Sequence, residues 1–526
     1  MPLSSAHDPL LLSGMSTAVD RLERAFRLGE KVAVFGDYDV DGVTSTVLLA
    51  KLFTLLKLPH ELYIPDRLQE GYGPNTPALL GLQARGAKVV VTVDCGTSAV
   101  AEAQACRDAG LDLIITDHHL PGPQVPSALA VVNPKTSPLY PYDMLGGVGV
   151  AYKLAQALLA RLQHPRATDF LDHMLELVAL GTICDVAPLD GENRALVREG
   201  LARLRQGRWM GLRSLAQAAS IKLPDIDAGA VGFHLGPRIN AGGRIGDAML
   251  GVRLMLSKDA DECRALAAQL NAENRERQDI EKRVIEAASL KAQAAVEAGA
   301  KALVLWPAPG EEPWHPGVVG LAASRLQERF QRPAFVFGLM DGVGKGSGRS
   351  RPPFNLVQAL QACSSHLQKF GGHEVAAGAT ILEQDLPAFA QAFLAQAAGL
   401  SDEDRRPVIQ VDFELGFDEI TPGLLEQLAA FEPHGMRNAR PLFVARGLSL
   451  GPRCRAIGKD GTHLKLELSQ KGQVLEGIAF GQAARLPSLQ AAGKADAVFS
   501  PAWNEWNNTR SLQLEVKDLR PSGEED

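Results

Sequence analysis

Asp37, Asp39 and Asp41 occupy every second position in the stretch VAVFGDYDVDGVTST, Val32 to Thr46, with no Lys or Arg among them. In an extended loop that spacing turns the three carboxylates toward one side. Like charges so close repel unless a cation or a shared proton stands between them, and a bound divalent cation answers the repulsion. An EF-hand loop opens with the same D-x-D-x-D-G order, but its twelfth position must be a bidentate Glu, and here Leu48 stands there. The apolar run Val32 to Phe35 reads as a strand, so the stretch is strand, acidic turn and then a helix from Val43. Acidic turn residues that only cap a helix would account for one of the three. Open α/β sheets place their ligands at the carboxyl ends of strands, where this acid stands.

Three further stretches deliver groups of the same kind. Lys88 to Val93 leads to Asp94, Leu111 to Thr116 leads to Asp117, His118 and His119, and the apolar helix Asp169 to Leu180 empties toward Asp185. Asp39, Asp41, Asp94, His118 and Asp185 make an oxygen-rich donor set with one imidazole and no obligatory thiolate, which suits Mn²⁺ or Mg²⁺ better than zinc or copper. Two such ions sharing a carboxylate could activate a water and hold both the attacking and the leaving oxygen of a phosphodiester. Taken singly, Asp94 could be a turn residue, Asp185 a helix-end cap and His119 a packing residue. Gathered at one sheet edge, so much like charge is harder to explain by those roles. Cys95 and Cys184, each beside an aspartate, read as small packing residues.

The elements that must position these groups alternate. A helix over Ala18 to Leu28 precedes the first strand; a helix over Val43 to Lys57 follows the acidic turn. Then come a strand over Glu61 to Ile64, a glycine-rich loop carrying Arg67 and Tyr72, the strand before Asp94, a helix over Ser98 to Ala109, the strand before Asp117, and Ala128 to Val132. Strands separated by helical segments of this length imply a parallel sheet covered on both faces. Helical patterns continue over Gly149 to Leu162, Asp169 to Leu180 and Arg198 to Ala219. The stretch GFHLGPRINAGGRIGDA, with five glycines, Arg238, Asn240 and Arg244, interrupts them and reads as a loop whose backbone could approach a phosphate. From Asp259 to about Ala298 there is neither Pro nor Gly, so one helix of about 60 Å is expected. Its middle, Asn271 to Asp279, is polar all round, as in a helix that bridges two bodies across solvent.

A second α/β segment starts after Lys301. It holds a helix opening in HPGVVGLAASRL, a strand over Pro333 to Phe337, the basic glycine-rich turn DGVGKGSGRSRPPFNL with Ser347 and Arg349, and the cluster GGHEVAAG with His373. After Ser401 the pattern becomes five or six short strands, which suggests a small β-barrel of OB type. Such folds track single strands with basic grooves and stacked aromatics. Trp503 and Trp506 are candidates for stacking or, the preferred reading, for packing; with 6% aromatic residues, strand binding is expected to rest on phosphate contacts and to depend on salt. The fold class is therefore α/β and multidomain: a parallel-sheet catalytic domain over 1–220, a connecting segment over 221–300, a second α/β domain over 301–400 and a barrel over 401–526.

Bulk properties agree with that division. A chain of 526 residues is too long for one ordinary core, and with 46% apolar and 22% charged residues it is globular. The net charge of −7 opposes nucleic acid overall, so a nucleic-acid partner would need a local cationic groove. Six scattered cysteines without a C-x-x-C spacing argue against a zinc site or a disulfide framework and fit a reducing compartment. The first residues lack the features of a signal peptide, and no run of eighteen apolar residues occurs, so a cytoplasmic protein without a membrane partner is expected.

DYDVDG, VDCG, TDHH with VVNPK, and GTICDV, in this order, resemble the four signature motifs of the DHH phosphoesterase superfamily. GSGRS and GGHEVAAG resemble its DHHA1 domain, while PRINAGGR and FEPHGMRNARPLF resemble the bacterial RecJ exonuclease family. The resemblance spans essentially the whole chain. It implies a 5′→3′ exonuclease on single-stranded DNA in recombination and repair, with two Mn²⁺ or Mg²⁺ ions, acting as a monomer beside a single-stranded-DNA-binding protein and a RecQ-type helicase. It implies Asp39, Asp41, Asp94, His118 and Asp185 as metal ligands, and Asp37 and His119 as catalytic supports of the cluster or the leaving group. Arg67, Tyr72, Arg238, Asn240, Ser347, Arg349 and His373 are implied on the substrate. The first half alone would equally suit a phosphodiesterase for short oligonucleotides or cyclic dinucleotides, and an inactive DNA-binding scaffold is the alternative of another class.

Overall fold

The computed structural model describes residues 3–67, 69–506 and 509–523, without the side chains of 505, 506 and 509. The chain forms two compact units, Met1–Pro407 and Val408–Asp526.

The first unit begins with α1 (Met15–Leu28), which buries Met15, Ala18, Val19, Leu22 and Ala25 on one face. Then β1 (Lys31–Gly36), α2 (Val40–Leu55), β2 (His60–Tyr63), α3 (Thr76–Ala84), β3 (Ala87–Val93), α4 (Val100–Asp108), β4 (Asp112–Thr116) and β5 (Ala130–Val132) alternate as expected. The strands pair in parallel in the order β2-β1-β3-β4-β5. Because the chain leaves β1 toward one edge and returns through β3 toward the other, the strand order reverses between β1 and β3. Ligands of open parallel sheets bind outside the strand ends at such a point. The acidic turn and Asp94 leave the sheet there.

The helices α5 (Gly147–Arg161), α6 (Ala167–Cys184), α7 (Gly191–Leu204) and α8 (Met210–Ala218) follow. The single helical run expected over Arg198 to Ala219 is thus two helices, parted at Gly207, whose φ is +65°. The expected glycine-rich loop is the largest difference. It is helical, comprising α9 (Ala228–Ala230), a π turn over Val231–Leu235 and α10 (Gly236–Ile245). Asp227 caps its start by accepting from the Ala230 amide at 2.7 Å. Each interior glycine costs a helix about 1 kcal/mol against alanine, and here close packing offsets that cost. A Cβ on Gly243 would overlap the carbonyl oxygen of Tyr38 in the acidic turn.

After α11 (Met249–Leu256) comes the long helix α12 (Ala260–Glu297), 38 residues capped by Asp259. Its polar middle is solvated on one face, with Arg275, Glu276, Gln278 and Asp279 exposed, and covered on the other, where Asn274 and Arg277 are buried. Beyond it stand β6 (Leu303–Leu305), α13 (Val319–Phe330), β7 (Ala334–Met340), β8 (Val343–Arg349), α14 (Leu356–Ala362), β9 (Lys369–Gly372), β10 (Ala376–Leu382) and α15 (Leu386–Gln396). These strands form one sheet in the order β6-β7-β8-β10-β9. The basic turn expected at GKGSGR is therefore strand β8. Its alternate glycines face the Phe335 and Phe337 rings, which leave no room for a Cβ at Gly346 or Gly348. Lys345, Ser347 and Arg349 fall on the opposite face.

The second unit holds β11 (Phe413–Glu414), α16 (Pro422–Ala429), β12 (Phe443–Leu450), β13 (Arg455–Ile457), β14 (His463–Gln470), β15 (Gln473–Ala479), α17 (Leu486–Ala492), β16 (Lys494–Trp506) and β17 (Thr509–Pro521). The sheet order is β11-β12-β16-β17-β15-β14-β13, and β12 also pairs with β14 through Ser449 and Leu450, the return contact that an OB-type barrel needs. Phe417, Leu448, Leu466, Phe499 and Leu514 lie in its core. No helix among the described residues is long and apolar enough to cross a membrane.

Candidate active site

Local backbone geometry places each acid. Asp39 is the N-cap of α2, its Oδ1 accepting from the amides of Asp41 at 2.9 Å and Gly42 at 3.1 Å. Asp41, in the first turn of α2, is fully buried and accepts from Gly147 N at 2.6 Å and Val148 N at 2.8 Å. Those amides are the unsatisfied donors at the start of α5. Position 147 must be glycine, because a Cβ there would lie 2.6 Å from Asp94 Oδ1. Asp94 leaves β3 with φ +60° and is buried. Asp185 caps the carboxyl end of α6. A carboxylate is the wrong charge for that end of a helix dipole unless a cation lies beside it.

These groups converge. His118 Nε2 stands 3.0 Å from Asp94 Oδ1, 3.6 Å from Asp185 Oδ2 and 3.9 Å from Asp41 Oδ2. Oxygens of Asp37, Asp39 and Asp94 lie within 4.8 Å of one another, as do donor atoms of Asp41, His118 and Asp185. Burial, then the charge of Asp39, pushes the Asp41 carboxyl up to about 7. Burial and neighbouring carboxylates hold Asp37, Asp94 and Asp185 well above the usual carboxylate range. Burial also pushes His118 down to about 3, so its imidazole is neutral and offers a lone pair. Asp37 Oδ1, Asp94 Oδ1 and His118 Nε2 are buried without a hydrogen-bond partner among the described residues. Two acceptors facing each other at about 3 Å have the spacing of adjacent ligands on a small octahedral ion. The residues therefore fit Mn²⁺ or Mg²⁺.

Asp117 has a different task. It accepts from Thr97 N at 2.8 Å, His118 N at 2.7 Å and His119 N at 3.1 Å, and its Oδ1 is 2.8 Å from His119 Nδ1. Burial works against its charge, but the bond to His119 and both imidazoles hold it below the usual range. In return, and against the effect of burial, Asp117 raises His119 above an ordinary histidine. Tyr72 Oη reaches His119 Nδ1 at 3.1 Å and the Asp94 carbonyl at 3.3 Å. Asn133 Nδ2 donates to the His119 carbonyl at 2.9 Å, and Lys135 donates to that of His118. The sequence reading gives neither residue this supporting role, although Asn133 directly follows β5.

Opposite the acids stands a set of arginines. Arg67 lies over the Tyr38 ring at 4.7 Å. Burial, then the positive charges of Arg67 and Arg277, pushes Arg244 down to about 10, while Asp39 and Tyr38 act in the other direction. Arg349 is lowered by burial and by Arg67, and it donates to Ser347 Oγ at 3.2 Å. Arg244 Nη1 donates to the Gly317 carbonyl at 3.1 Å, which ties α10 to the segment before α13.

Three expected substrate residues are placed otherwise. Arg238 donates to Asn271 Oδ1 at 3.0 Å and to the His234 carbonyl at 2.7 Å, so it braces α10 against α12. Asn240 Oδ1 accepts from the Val40 amide at 3.1 Å and so holds the acidic turn. His373 is exposed on the turn between β9 and β10. The reason at Arg238 is helical: Asn240 and Arg244 are four residues apart and share a face, whereas Arg238 is two residues from Asn240 and points the other way. Arg244, named in that stretch without a substrate role of its own, and Arg277, on the long helix read as a connection, complete the arginine set. Trp503 is half-buried against the barrel core, and the side chain of Trp506 lies outside the described residues.

Residues 31–182 match the DHH family N-terminal domain, residues 299–399 the DHHA1 domain and residues 411–518 the RecJ OB domain. Over 532 residues the chain is 36% identical to the single-stranded-DNA-specific exonuclease RecJ of Dickeya dadantii, covering 98% of this chain and 92% of that protein. It is 38% identical over 521 residues to the RecJ of Bacillus subtilis, of whose length it spans 64%. The crystal structure of Thermus thermophilus RecJ in complex with Mn²⁺ superposes with a TM-score of 0.83 at 35% identity, covering 97% of this chain and 72% of that one. Similarity of this degree runs through the acidic sheet edge, the arginine wall and the barrel alike, and the chain belongs to the RecJ family of DHH exonucleases.

Proposed function

We propose that this chain degrades single-stranded DNA from its 5′ end by metal-dependent phosphodiester hydrolysis, in recombination and repair. The observation that carries the reading is the set of buried, unpartnered atoms Asp37 Oδ1, Asp94 Oδ1 and His118 Nε2, which open on one space opposite Arg67, Arg244 and Arg349. Asp37, Asp39, Asp41, Asp94, His118 and Asp185 would hold two Mn²⁺ or Mg²⁺ ions. Such ions lower the pKa of water and stabilise charge on the attacking and leaving oxygens.

The chain's own residues supply the rest. Arg67, Arg244, Ser347 and Arg349 grip the terminal 5′-phosphate, since guanidinium forks match phosphate oxygens. Water attacks the next phosphorus, the bond from phosphorus to O3′ breaks, and O3′ leaves as a hydroxyl. A 5′-mononucleotide departs, and the shortened strand keeps a 5′-phosphate, so the arginines meet the same group at each turn. His119, its Nδ1 engaged with Asp117, keeps Nε2 as the atom that delivers the proton to O3′. Tyr72 holds that imidazole in place.

Residues 1–220 act as the catalytic DHH domain, 221–300 as the connection, 301–400 as the DHHA1 domain and 401–526 as the barrel. The protein works as a cytoplasmic monomer with a single-stranded-DNA-binding protein and a RecQ-type helicase. A long single strand labelled at either end and incubated with Mn²⁺ tests the reading: loss of the 5′ label as mononucleotide is expected. Cutting from the 3′ end alone, or of dinucleotides alone, overturns it in favour of a short-oligonucleotide phosphodiesterase, and binding without cutting in favour of an inactive scaffold.

A further inference from the structure

The loop between β2 and α3 carries two groups of the active site, Arg67 and Tyr72, yet the core gives it little support. Among its described residues over 64–75 only Pro65 and Gly73 are buried. Tyr72 lies between Gly71 and Gly73, at φ +87° and +84°, so its own backbone restrains it weakly. Inside the loop one carboxylate makes the fastening: Glu70 accepts from Tyr63 Oη at 2.6 Å, from Asp66 N at 2.8 Å and from Asn75 Nδ2 at 3.0 Å. A segment with so little buried takes its place on the molecule from specific side-chain contacts.

Those contacts meet at Tyr38. The Arg67 guanidinium stands 4.7 Å from the centre of the Tyr38 ring, and the Tyr72 ring meets the same ring edge to face at 6.4 Å and 74°. Tyr72 in turn meets the His119 ring at 5.7 Å and 72°, and its hydroxyl shares the Nδ1 proton that Asp117 holds. Tyr38 itself is fixed from the other side. It stands in the acidic turn, where its carbonyl packs against Gly243 of α10 and the neighbouring Val40 amide donates to Asn240. Arg67 and Tyr72 thus rest on one anchored ring, and through Tyr72 that ring reaches the imidazole.

We propose that Tyr38 is a positioning residue that couples recognition of the 5′-phosphate to departure of O3′. Phosphate bound by Arg67 fixes the guanidinium on the Tyr38 ring, the ring fixes Tyr72, and Tyr72 fixes His119. As the bond from phosphorus to O3′ breaks, His119 Nε2 then gives its proton to O3′. The inference rests on the proposed hydrolysis from the 5′ end. A cation over an aromatic face and two rings packed edge to face are directional contacts, and two sites that bias one element are coupled to each other. The 5′-phosphate is therefore read in the rate of the chemical step as well as in binding.

The test uses the full chain, loaded with Mn²⁺ and in excess over an oligothymidylate with a 5′-phosphate or a 5′-hydroxyl. The rate constant of the first cleavage is read at saturation, so that affinity does not enter. Each strand carries either oxygen or bridging sulfur as its first leaving atom. With oxygen, the unaltered chain should cleave the phosphorylated strand about tenfold faster than the hydroxyl strand. With sulfur that ratio should fall toward one, because a thiolate leaves without a proton. Tyr38→Leu should bring the oxygen ratio toward one as well, whereas Tyr38→Phe, which keeps the ring, should retain it. Each ratio is taken within one protein and does not depend on the fraction folded. A ratio near one in the unaltered chain, a ratio that sulfur leaves unchanged, an undiminished ratio in Tyr38→Leu, or an equal loss in Tyr38→Phe overturns the coupling. If the unaltered chain cuts neither strand, the proposed function itself falls.

Discussion

The two walls of the active site are built on different principles. The groups of one wall sit at the ends of elements: Asp37 and Asp39 follow β1, Asp41 stands in the first turn of α2, Asp94 follows β3, His118 follows β4 and Asp185 closes α6. The direction of each is set by the strand or helix that it ends or begins. The arginines of the other wall come from a loop, from α10 and from β8, with Arg277 of α12 beside them, and only tertiary packing brings them together. A site can thus combine a locally determined half with a half that exists only once the domains have packed. The halves should respond differently to substitution.

The largest effects belong to the acidic half. Asp94→Asn keeps a side chain that tolerates the left-handed backbone and removes a metal donor, so kcat should fall on the order of a thousandfold or more. The same change removes one of several like charges, so without metal the variant should melt at or above the temperature of the unaltered chain. A loss of stability with activity retained would take Asp94 out of the site. The pH dependence follows from the same crowding. The Asp41 carboxyl is pushed up to about 7, against roughly 4 in an unfolded chain. Between those values the folded state binds more protons than the unfolded state, so raising the pH lowers the stability of the metal-free protein. Metal should reverse that loss, and the rise in melting temperature on adding Mn²⁺ to chelator-treated protein should be larger at pH 8 than at pH 5. An equal rise at both pH values would mean that these carboxylates do not bind the ion.

Smaller, more selective effects are expected from the arginines. Arg244→Ala should lower kcat/KM on a 5′-phosphorylated strand by about ten- to a hundredfold, the value of a charged hydrogen bond, and far less on a 5′-hydroxyl strand. Arg238→Ala, which removes a brace between α10 and α12, should change the two strands alike. A reversed order would restore the phosphate role to Arg238. Arg349→Ala should reduce the dependence of log affinity on log salt by about one unit, which binding titrations over a salt series would measure.

This division also governs what can be read without coordinates. The parallel sheet, the acid-bearing turns and the long helix are legible because continuous apolar runs with charge at their ends, and a long stretch without Pro or Gly, are local signals. The helix at GFHLGPRINAGGRIGDA was not, because its glycines serve close contact with Tyr38 and other neighbours rather than a turn. Strand β8 was hidden for a related reason: Gly344, Gly346 and Gly348 alternate with polar residues, and the Phe335 and Phe337 rings that fill the glycine face lie on another strand. Arg238 was preferred to Arg244 because a loop has no faces to compare. Asn240 was placed at the substrate although its carbonyl holds the Val40 amide, a partner 200 positions away.

The smallest expected effect lies in the barrel and tests whether an aromatic there binds nucleic acid or serves packing. The Trp503 ring packs partly against the barrel core and carries the Arg510 guanidinium over one face at 4.1 Å. That face is already engaged by a cation, in a contact worth about 0.5–1 kcal/mol at an exposed site. Trp503→Ala should therefore destabilise the second unit by about 1–2 kcal/mol, the value of a partly buried large side chain, with affinity for a long single strand lowered less than about threefold. Thermal melts and anisotropy titrations separate the two quantities. A tenfold loss of affinity at unchanged stability would instead make Trp503 a stacking platform, and the barrel would then share the strand with the arginine wall rather than serve as a packed support.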